Sequence, residues 1–218
     1  SPVHSMSPFL RRTALITTTN GIRVPDPEGN PVRGYSPLMH AQDWTLECYV
    51  KVMSTNASGN LINIPGPAGF TNITARLYLS NNVPGACFHT PGGFLYRLDG
   101  MPIPSNKWTH IAAVWNHSAN CFSLYVNGVF DQQIRIYEEG LSSRLFGSAT
   151  PITIGESLGG SFQNRLYVDE VRIWGVARTP AEVEQYRRKL VPQETVGLRA
   201  YYRFDDGGIT AEDFTRKA

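Results

Sequence analysis

The sequence has no long apolar run and no strong excess of charge of either sign. No stretch approaches the roughly 18 apolar residues that a membrane-spanning helix needs, so no membrane span is expected. The 218 residues carry a formal net charge of +2, with acidic and basic side chains interspersed. Because a nucleic-acid-binding protein concentrates its basic residues in a patch or stripe, no nucleic-acid partner is expected either.

Cysteine is scarce, with Cys48, Cys87 and Cys121 as the three examples. An odd number leaves at least one thiol outside any intramolecular disulfide. No pair has the spacing of a zinc site, and spacing alone does not establish a Cys87–Cys121 disulfide. The chain is long enough to bury a substantial core without such cross-links.

What the sequence has in quantity is short strand-like segments separated by glycine, proline and asparagine turns. Residues 44–51 alternate strictly between apolar and polar side chains, which predicts a half-buried strand. The core side would hold Trp44, Leu46, Cys48 and Val50, and the outer side Thr45, Glu47, Tyr49 and Lys51. Residues 121–126 end at Asn127–Gly128, the strongest hairpin signal in the chain. Further strands are predicted within 13–24 and at 61–64, 75–80, 86–90, 108–115, 152–154 and 198–204.

Residues 166–174, which read LYVDEVRIW, predict a strand with two unlike faces. Alternation puts Tyr167, Asp169, Val171 and Ile173 on the core side, and Val168, Glu170, Arg172 and Trp174 on the other. A carboxylate on the core side is costly unless it is paired, hydrogen-bonded or bound to a metal. Asp169 is therefore the first candidate functional residue.

One helix is predicted, directly after this strand. Thr179 is its N-cap, Pro180 its first residue, and Glu182 completes a capping box, while Pro192 ends it. The pattern as a whole predicts an all-β fold, an antiparallel two-sheet β-sandwich (jelly roll) with one short helix. No low-complexity linker or internal repeat divides the chain. Residues 1–218 are expected to form a single domain, with 1–12 as an extended N-terminal arm.

Fragments of two catalytic patterns occur, and neither is complete. Residues 155–159 match G-x-S-x-G, but that motif needs a following helix, and all five histidines precede Ser157. Glycosidases need two carboxylates on one cleft. Asp169 and Glu170 are adjacent and so point to opposite faces, and Asp205 lies in a turn. No enzymatic activity is expected.

Six segments carry a family resemblance. They are WTLECYVK (44–51), WTHIAAVW (108–115), LYVNG (124–128), YVDEVRIW (167–174), ARTPAEV (177–183) and LRAYYRFDDG (198–207). In these segments and their order, the chain resembles laminin-G-like jelly-roll domains of the concanavalin A-like lectin/glucanase superfamily. The resemblance covers most of the chain from about residue 13 and implies two stacked antiparallel sheets, one of them concave. Because this fold hosts lectins, protein-binding modules and glycosidases, the resemblance is weak evidence for function.

The resemblance also implies, as in many members, a calcium ion at the edge of the sandwich. Asp169 occupies the matching position, where an aspartate binds the ion together with backbone carbonyls, and oxygen ligands suit this hard cation. Only one carboxylate can be placed there, so carbonyls or water would supply the other ligands. The alternative is an aspartate that accepts backbone N–H bonds at a strand end.

The outward side of the central strands would form the concave face. Alternation places there Glu47, Tyr49, Glu170, Arg172 and Trp174. Aromatic and charged side chains can stack on sugar rings and bond their hydroxyls, so Tyr49, Arg172 and Trp174 are candidate ligand-binding residues. The alternative is a cross-strand ladder of Glu and Arg pairs covered by aromatics. Recognition would then fall to the loops 54–60, 84–93 and 138–148.

The expected function is non-catalytic recognition by a secreted or cell-surface module. It would bind a glycan or a surface protein, as a lectin or adhesion domain does, with calcium as the implied cofactor. Sequons at Asn56, Asn72 and Asn116 would be glycosylation sites in a eukaryotic protein. The alternative is a structural module that packs against sister domains in a surface or filament assembly. An exposed apolar patch at an edge would favour the alternative, and exposed aromatics on one rim would favour binding.

Overall fold

A computed structural model of the chain describes residues 15–16, 21–24, 37–38, 41–65, 73–90, 93–137, 151–157, 166–205 and 213–215. In chain order the elements are β1 (Leu15–Ile16), β2 (Ile22–Val24), β3 (Trp44–Val52), β4 (Gly59–Pro65), β5 (Ile73–Ser80), β6 (Val83–His89), β7 (Leu95–Asp99), β8 (Trp108–Asn116), β9 (Cys121–Val126), β10 (Val129–Arg135), β11 (Ile152–Ser157), β12 (Leu166–Trp174), α1 (Pro180–Tyr186) and β13 (Leu198–Tyr202). None of the described helical residues forms a helix that is long and apolar enough to cross a membrane.

The strands form two antiparallel sheets. Sheet A has the order β1-β12-β3-β8-β9-β10, and β13 also pairs with β12. Sheet B has the order β2-β11-β4-β5-β6-β7. The prediction of an all-β, two-sheet β-sandwich with one short helix is confirmed.

The apolar sides of the two sheets meet in one core. Trp44 of sheet A contacts Phe88 of sheet B and Phe122 of sheet A edge-on, with ring centroids 5.5 and 5.6 Å apart. The alternation predicted for residues 44–51 is confirmed, since the four apolar positions of that stretch all lie in this core. The three cysteines are free thiols, on β3, β6 and β9.

The alternation predicted for β12 is confirmed for Val171 to Trp174 but wrong for the first half of the strand, because the strand contains a β-bulge. Glu170 and Val171 together oppose the single residue Cys48 of β3, where the register of the pair shifts. Glu170 takes up the extra residue with a φ of +51°, a conformation that an L-residue seldom adopts. A two-residue period cannot reveal such an insertion, because every later side chain simply changes face.

The bulge reverses the faces of the first half of β12. Val168, predicted to point outward, lies in the core together with Val171 and Ile173. Asp169 and Tyr167 therefore lie on the side of the strand opposite to the core, contrary to the prediction. Asp169 is nevertheless buried, with 2 % of its surface exposed.

α1 begins with the predicted capping box. Thr179 Oγ1 accepts a hydrogen bond from the N–H of Glu182 at 3.3 Å, and the Glu182 carboxylate accepts the N–H of Thr179 at 2.8 Å. The helix ends at Tyr186, well before Pro192, so it is shorter than predicted. Val183 packs against a patch on the outward side of sheet A, formed by Ala112, Val114 and Tyr125. The helix therefore covers this side of sheet A.

A polar layer is buried between sheet A and α1. It consists of Glu47, Tyr49, His110, Glu170, Arg172, Trp174 and Tyr201, all of them buried. One Glu47 carboxylate oxygen accepts the indole N–H of Trp174 at 2.9 Å and lies 3.4 Å from Arg172 Nη1. The other oxygen lies 3.0 Å from His110 Nε2. Glu47 thus joins three strands of the sheet.

Arg172 connects this layer to the end of the helix. Its Nη2 donates to Glu170 at 2.7 Å, and Glu170 also accepts the hydroxyl of Tyr201. The same guanidinium donates to the carbonyls of Tyr186 at 2.9 Å and Lys189 at 3.1 Å. A helix leaves its last carbonyls without intrahelical partners, so these bonds supply what the C-terminus of α1 lacks.

Tyr49 makes a second connection of this kind, because its hydroxyl donates to the carbonyl of Arg187 at 2.6 Å. Burial alone would raise the pKa of Glu47, but the His110 hydrogen bond and the Arg172 charge outweigh it and lower that pKa to about 2. Burial lowers the pKa of His110. The layer therefore holds an ionised Glu47 between a guanidinium and a neutral imidazole.

Replacing Glu47 with alanine should destabilise the fold strongly, because it removes one of the two carboxylates that pair with buried Arg172 and leaves the indole N–H of Trp174 without its acceptor. Breaking a buried pair costs about 3–5 kcal/mol, and we expect Glu47→Ala to lose roughly that much in urea unfolding. The control is Glu184→Ala, which removes a carboxylate that pairs with Arg187 and Arg188 at the surface. That change should cost about 1 kcal/mol or less. Equal losses would contradict the role assigned to Glu47.

A second prediction concerns the turn that leads into β13. Gly197 has a φ of +85°, and a Cβ there would lie 2.6 Å from Cγ2 of Val176. Gly93 has the same φ of +85° and no atom within 4 Å of such a Cβ. Gly93→Ala should cost about 1 kcal/mol of backbone strain, and Gly197→Ala about 1–3 kcal/mol more from overpacking. Identical unfolding free energies for the two variants would show that Val176 moves aside freely.

Candidate functional site

The three side chains predicted to contact a ligand lie in the polar layer beneath α1. Tyr49, Arg172 and Trp174 are 4 %, 1 % and 0 % exposed. The Arg178 guanidinium lies over the Trp174 ring at 4.1 Å from its centroid. A ligand in solvent does not reach these groups in this structure. Their place is in the cross-strand ladder of Glu47 and Arg172, the interpretation that the sequence offered as the alternative.

Asp169 lies at the bulge of β12, between the segment that pairs with β1 and the segment that pairs with β13. One of its oxygens accepts the backbone N–H of Glu170 at 2.9 Å. Burial and the nearby carboxylates of Glu170 and Asp205 raise the pKa of Asp169 to about 8. The first observation matches the hydrogen-bonding interpretation of this residue. The raised pKa identifies a carboxylate whose ionised form a nearby positive charge would stabilise.

The donors around Asp169 fit a hard cation in part. Two carboxylates, Asp169 and Asp205, interact unfavourably there, and carboxylate oxygens are preferred calcium ligands. Asp205 also pairs with Arg203 at 2.5 Å. Within the described part of the chain, no three His, Cys, Asp or Glu side chains are grouped to hold a metal. Asp169 therefore stays a predicted calcium ligand that would depend on carbonyl oxygens.

The other predicted sites lie on loops or outside the described residues. Asn56 is exposed between β3 and β4. Asn116 is half-buried, and its Oδ1 accepts bonds from Ser118 Oγ at 2.9 Å and Ala119 N at 3.0 Å. The Asn72 sequon, the arm 1–12 and the loop 138–148 lie outside the described residues. Glycosylation stays a prediction.

The outward side of sheet B, which we call the open face, has no described helix or strand lying over it. The strand registers align its side chains in two rows across the sheet. The arginine row consists of Arg23, Thr153, Asn63, Arg76, Cys87 and Arg97. The tyrosine row, one outward position further along, consists of Glu156, Asn60, Tyr78, Gly85 and Asp99. On β5, β6 and β7 these positions alternate with core residues, so their side chains face away from the sandwich interior. On β4 a register shift between Asn60 and Ile62 places two core residues between Asn60 and Asn63.

Tyr78 lies at the centre of the open face. Its ring packs against Gly85, where a Cβ would stand only 2.4 Å from the ring. The guanidinium carbons of Arg76 and Arg97 lie 5.1 and 5.3 Å from the ring centroid, as in cation–π contacts. The Tyr78 hydroxyl donates to Asp99 at 2.7 Å, and burial together with this bond raises the pKa of Tyr78. The ring thus contacts the guanidinium groups of both arginines.

The two arginines differ in their partners. Arg97 donates to both oxygens of Asp99, at 2.7 and 2.9 Å. Burial would raise the pKa of Asp99, but the bonds from Arg97 and Tyr78 outweigh it and hold the pKa below its usual value. Arg76 forms no ion pair with a described carboxylate, and its buried Nε has no hydrogen-bond partner. Among the described residues, Arg97 is therefore paired with a carboxylate and Arg76 is not.

The other half of the open face presents amides. Asn60 Nδ2 donates to Glu156 at 2.9 Å, and Asn63 Nδ2 to Thr153 Oγ1 at 3.4 Å. The Oδ1 atoms of both asparagines are buried and have no partner. Buried polar atoms are normally satisfied by protein, water or ligand, so two acceptors here need a donor.

The sequence analysis missed this site although part of its signal was present. The strand predicted at 75–80 places Arg76 and Tyr78 on one face by simple alternation, and Arg97 and Asp99 share a face in the same way. What a single strand cannot show is which strands are neighbours and in what register. The rows exist only after β2, β11, β4, β5, β6 and β7 are aligned.

Solved structures with a similar fold include proteins named for binding. A Bacteroides ovatus protein to which carbohydrate binding is ascribed matches with a TM-score of 0.60 and 19 % identity, over 84 % of this chain and 52 % of its own. The CBM40 of the Ruminococcus gnavus IT-sialidase, bound to α2,3-sialyllactose, matches with a TM-score of 0.54 and 16 % identity, over 79 % of this chain and 98 % of its own. The binding domain of botulinum neurotoxin serotype D matches with a TM-score of 0.57 and 14 % identity, over 79 % of this chain and 41 % of its own.

These identities establish similarity of fold and no more. This chain spans about half the length of the Bacteroides ovatus protein and nearly all of the sialidase module. None of the curated proteins compared with the sequence matches it at a significant level. The profile of a laminin G family described as "Concanavalin A-like lectin/glucanases superfamily" matches residues 17–184, which is most of the sequence. The chain therefore belongs to the concanavalin A-like lectin/glucanase superfamily.

Proposed function

We propose that this chain is a non-catalytic, extracellular recognition module that binds a glycan on the open face of sheet B. One observation carries the proposal. This face aligns arginines, amides and a tyrosine across six strands, and several of its polar atoms lack partners. The opposite side of the sandwich is closed by α1. The similar solved structures named for carbohydrate binding support the same function.

The chemistry of the open face suits sugar hydroxyls. The exposed arginines of the row, Arg23 and Arg97, offer N–H donors, whereas the Oδ1 atoms of Asn60 and Asn63 are buried beneath the surface of this face. A ligand site typically uses a few fixed polar groups of this kind to orient its ligand. Tyr78 is 4 % exposed, so its ring supports the guanidinium groups and leaves the direct contacts to them.

The position of the acids supports binding without catalysis. Glu156 and Asp99 are the carboxylates of the open face, at opposite ends of the tyrosine row. Four strand spacings separate β11 from β7, about 19 Å. Glycosidases hold their two carboxyl groups about 5–9.5 Å apart. The described acids of this face are therefore too far apart to act as a pair.

A second candidate function is packing against sister domains. β7 and β10 are the terminal strands of the two sheets on one flank of the described sandwich. Large apolar side chains are exposed on or beside these strands, namely Phe94, Leu95, Met101, Val129 and Phe130. Exposed apolar surface at an edge favours assembly. Sedimentation at increasing protein concentration tests it: self-association that Phe130→Ser removes supports packing, and a monomer throughout argues against self-packing at this flank.

Gly85→Ala tests the open face directly. The added methyl would lie 2.4 Å from the Tyr78 ring, so the ring and the two guanidinium groups that it supports must shift. We expect the affinity for a glycan identified on a glycan array to fall at least about tenfold in calorimetry. The control is Gly93→Ala, which has nothing within 4 Å of its new methyl. Unchanged affinity in a folded Gly85→Ala variant would place the site elsewhere.

We also propose that calcium binds at Asp169, which can be tested through pH. The pKa of Asp169 is raised from 3.8 to about 8, so the folded chain keeps a proton that the unfolded chain has lost. The contribution of this proton to the stability of the fold is complete below pH 3.8 and is lost as the pH rises through about 8. Without calcium, the unfolding free energy should therefore decline through this range. Bound calcium would keep the carboxylate ionised, so added calcium should remove the decline and raise the Tm.

Asp169→Asn is the control for this measurement. Asparagine keeps an oxygen for the Glu170 N–H but does not titrate, so the variant should lack both the pH-dependent decline and the calcium response. The comparison also separates the pH dependence caused by Asp169 from that caused by His110. The lowered pKa of His110 makes the unfolding free energy rise with pH, which is the opposite direction. An identical pH profile of the wild-type chain with and without calcium would count against the cation.

A further inference from the structure

The charge of the open face points to a particular class of glycan, an inference that rests on the function proposed above. The arginine row crosses six strands, about 24 Å, and carries three guanidinium groups and no carboxylate. We infer that the open face binds an acidic saccharide through its carboxylate or sulfate groups, with Arg76 as the principal anchor. Positive charge that is not paired locally attracts anions to such a row.

Unlike Arg97, Arg76 forms no ion pair with any described residue. Arg76 and Arg97 lie over the same Tyr78 ring, each within 5.3 Å of its centroid. Among the described residues, the carboxylate of Asp99 accepts two hydrogen bonds from Arg97, and Arg76 makes no ion pair. An anion beside Arg76 would therefore pair a guanidinium that no described carboxylate neutralises.

The donors of Arg76 also match an anionic oxygen. Its Nε is buried and has no hydrogen-bond partner, although the residue as a whole remains partly exposed. A planar guanidinium presents parallel N–H groups that fit carboxylate or sulfate oxygens in pairs. Such bonds are about twice as strong as those between neutral groups. An acidic sugar would therefore gain more from Arg76 than a neutral one.

The acids of the open face do not oppose this arrangement. Glu156 accepts hydrogen bonds from Asn60 at 2.9 Å and Thr153 at 3.3 Å, and it lies on β11, two strand spacings or about 10 Å from β5. The amide oxygens of Asn60 and Asn63 lie between Glu156 and Arg76 in the sheet order. The asparagines of β4 thus separate Arg76 from Glu156 across the sheet.

The test uses glycans that differ only in charge. The immobilised pairs are α2,3-sialyllactose and lactose, an oligogalacturonide and its methyl ester, and a sulfated galactan oligosaccharide and its desulfated form, on an array that also holds a broad set of neutral glycans. We expect the wild-type chain to bind acidic members and not their neutral counterparts. The carboxylate and sulfate pairs show which anion is recognised. Raising the salt concentration should weaken the binding, because mobile ions screen charges at the surface.

Calorimetry with two arginine variants then locates the contact. Arg76→Gln should lower the affinity for the acidic glycan at least about tenfold, with a melting curve that shows an intact fold. Arg188→Gln, which removes an exposed guanidinium that pairs with Glu184 on the helix side, should leave the affinity within about twofold. Equal losses in the two variants would indicate a general charge effect and would overturn the assignment to Arg76.

The other outcomes separate this inference from the proposed function. Binding to neutral glycans alone, or equally to both members of each pair, would overturn the acidic specificity while supporting a glycan-binding module. Silence on the whole array would overturn both. Acidic binding that survives Arg76→Gln unchanged would show that the anion is bound elsewhere.

Discussion

A carboxylate that is buried between a sheet and a helix must be paired, and the closed side of this sandwich depends on how Glu47 meets that requirement. Glu47 is ionised, because Arg172, His110 and Trp174 surround it with positive charge and N–H donors. Arg172 extends the network to the carbonyls at the end of α1. A seven-residue helix has little stability of its own. The polar layer and the packing of Val183 thus hold α1 on sheet A, while no described helix or strand lies over the outward side of sheet B.

Local patterns in the sequence were sufficient for the elements whose environment is local. The strict alternation of residues 44–51 identified the core side of β3, and Thr179 with Glu182 located the start of the helix. The failure at β12 has an equally physical cause. One inserted residue at Glu170 shifts every later side chain to the other face, and no periodicity of two contains that information. The position of α1 on sheet A depends on contacts far apart in sequence.

The candidate site illustrates the same limit. Tyr49, Arg172 and Trp174 have the composition of a sugar-binding surface, yet they are buried, because α1 packs over them. Arg76 and Tyr78 were visible as one face of a strand, but their importance comes from neighbours on other strands. Cross-strand register converts scattered polar residues into a continuous face, and register is set by pairing over long sequence distances. Residue type alone therefore did not indicate that these side chains are buried.

The central claim is that one side of the sandwich is closed by α1 and that ligands bind to the other. Hydrogen–deuterium exchange with and without a bound acidic oligosaccharide tests it most directly, because exchange is read strand by strand. The account predicts slower exchange in peptides that cover β4 to β7, around Arg76 and Tyr78, with α1, β3 and β12 unchanged. Protection of α1 and β12 with no change in β5 and β6 would contradict it.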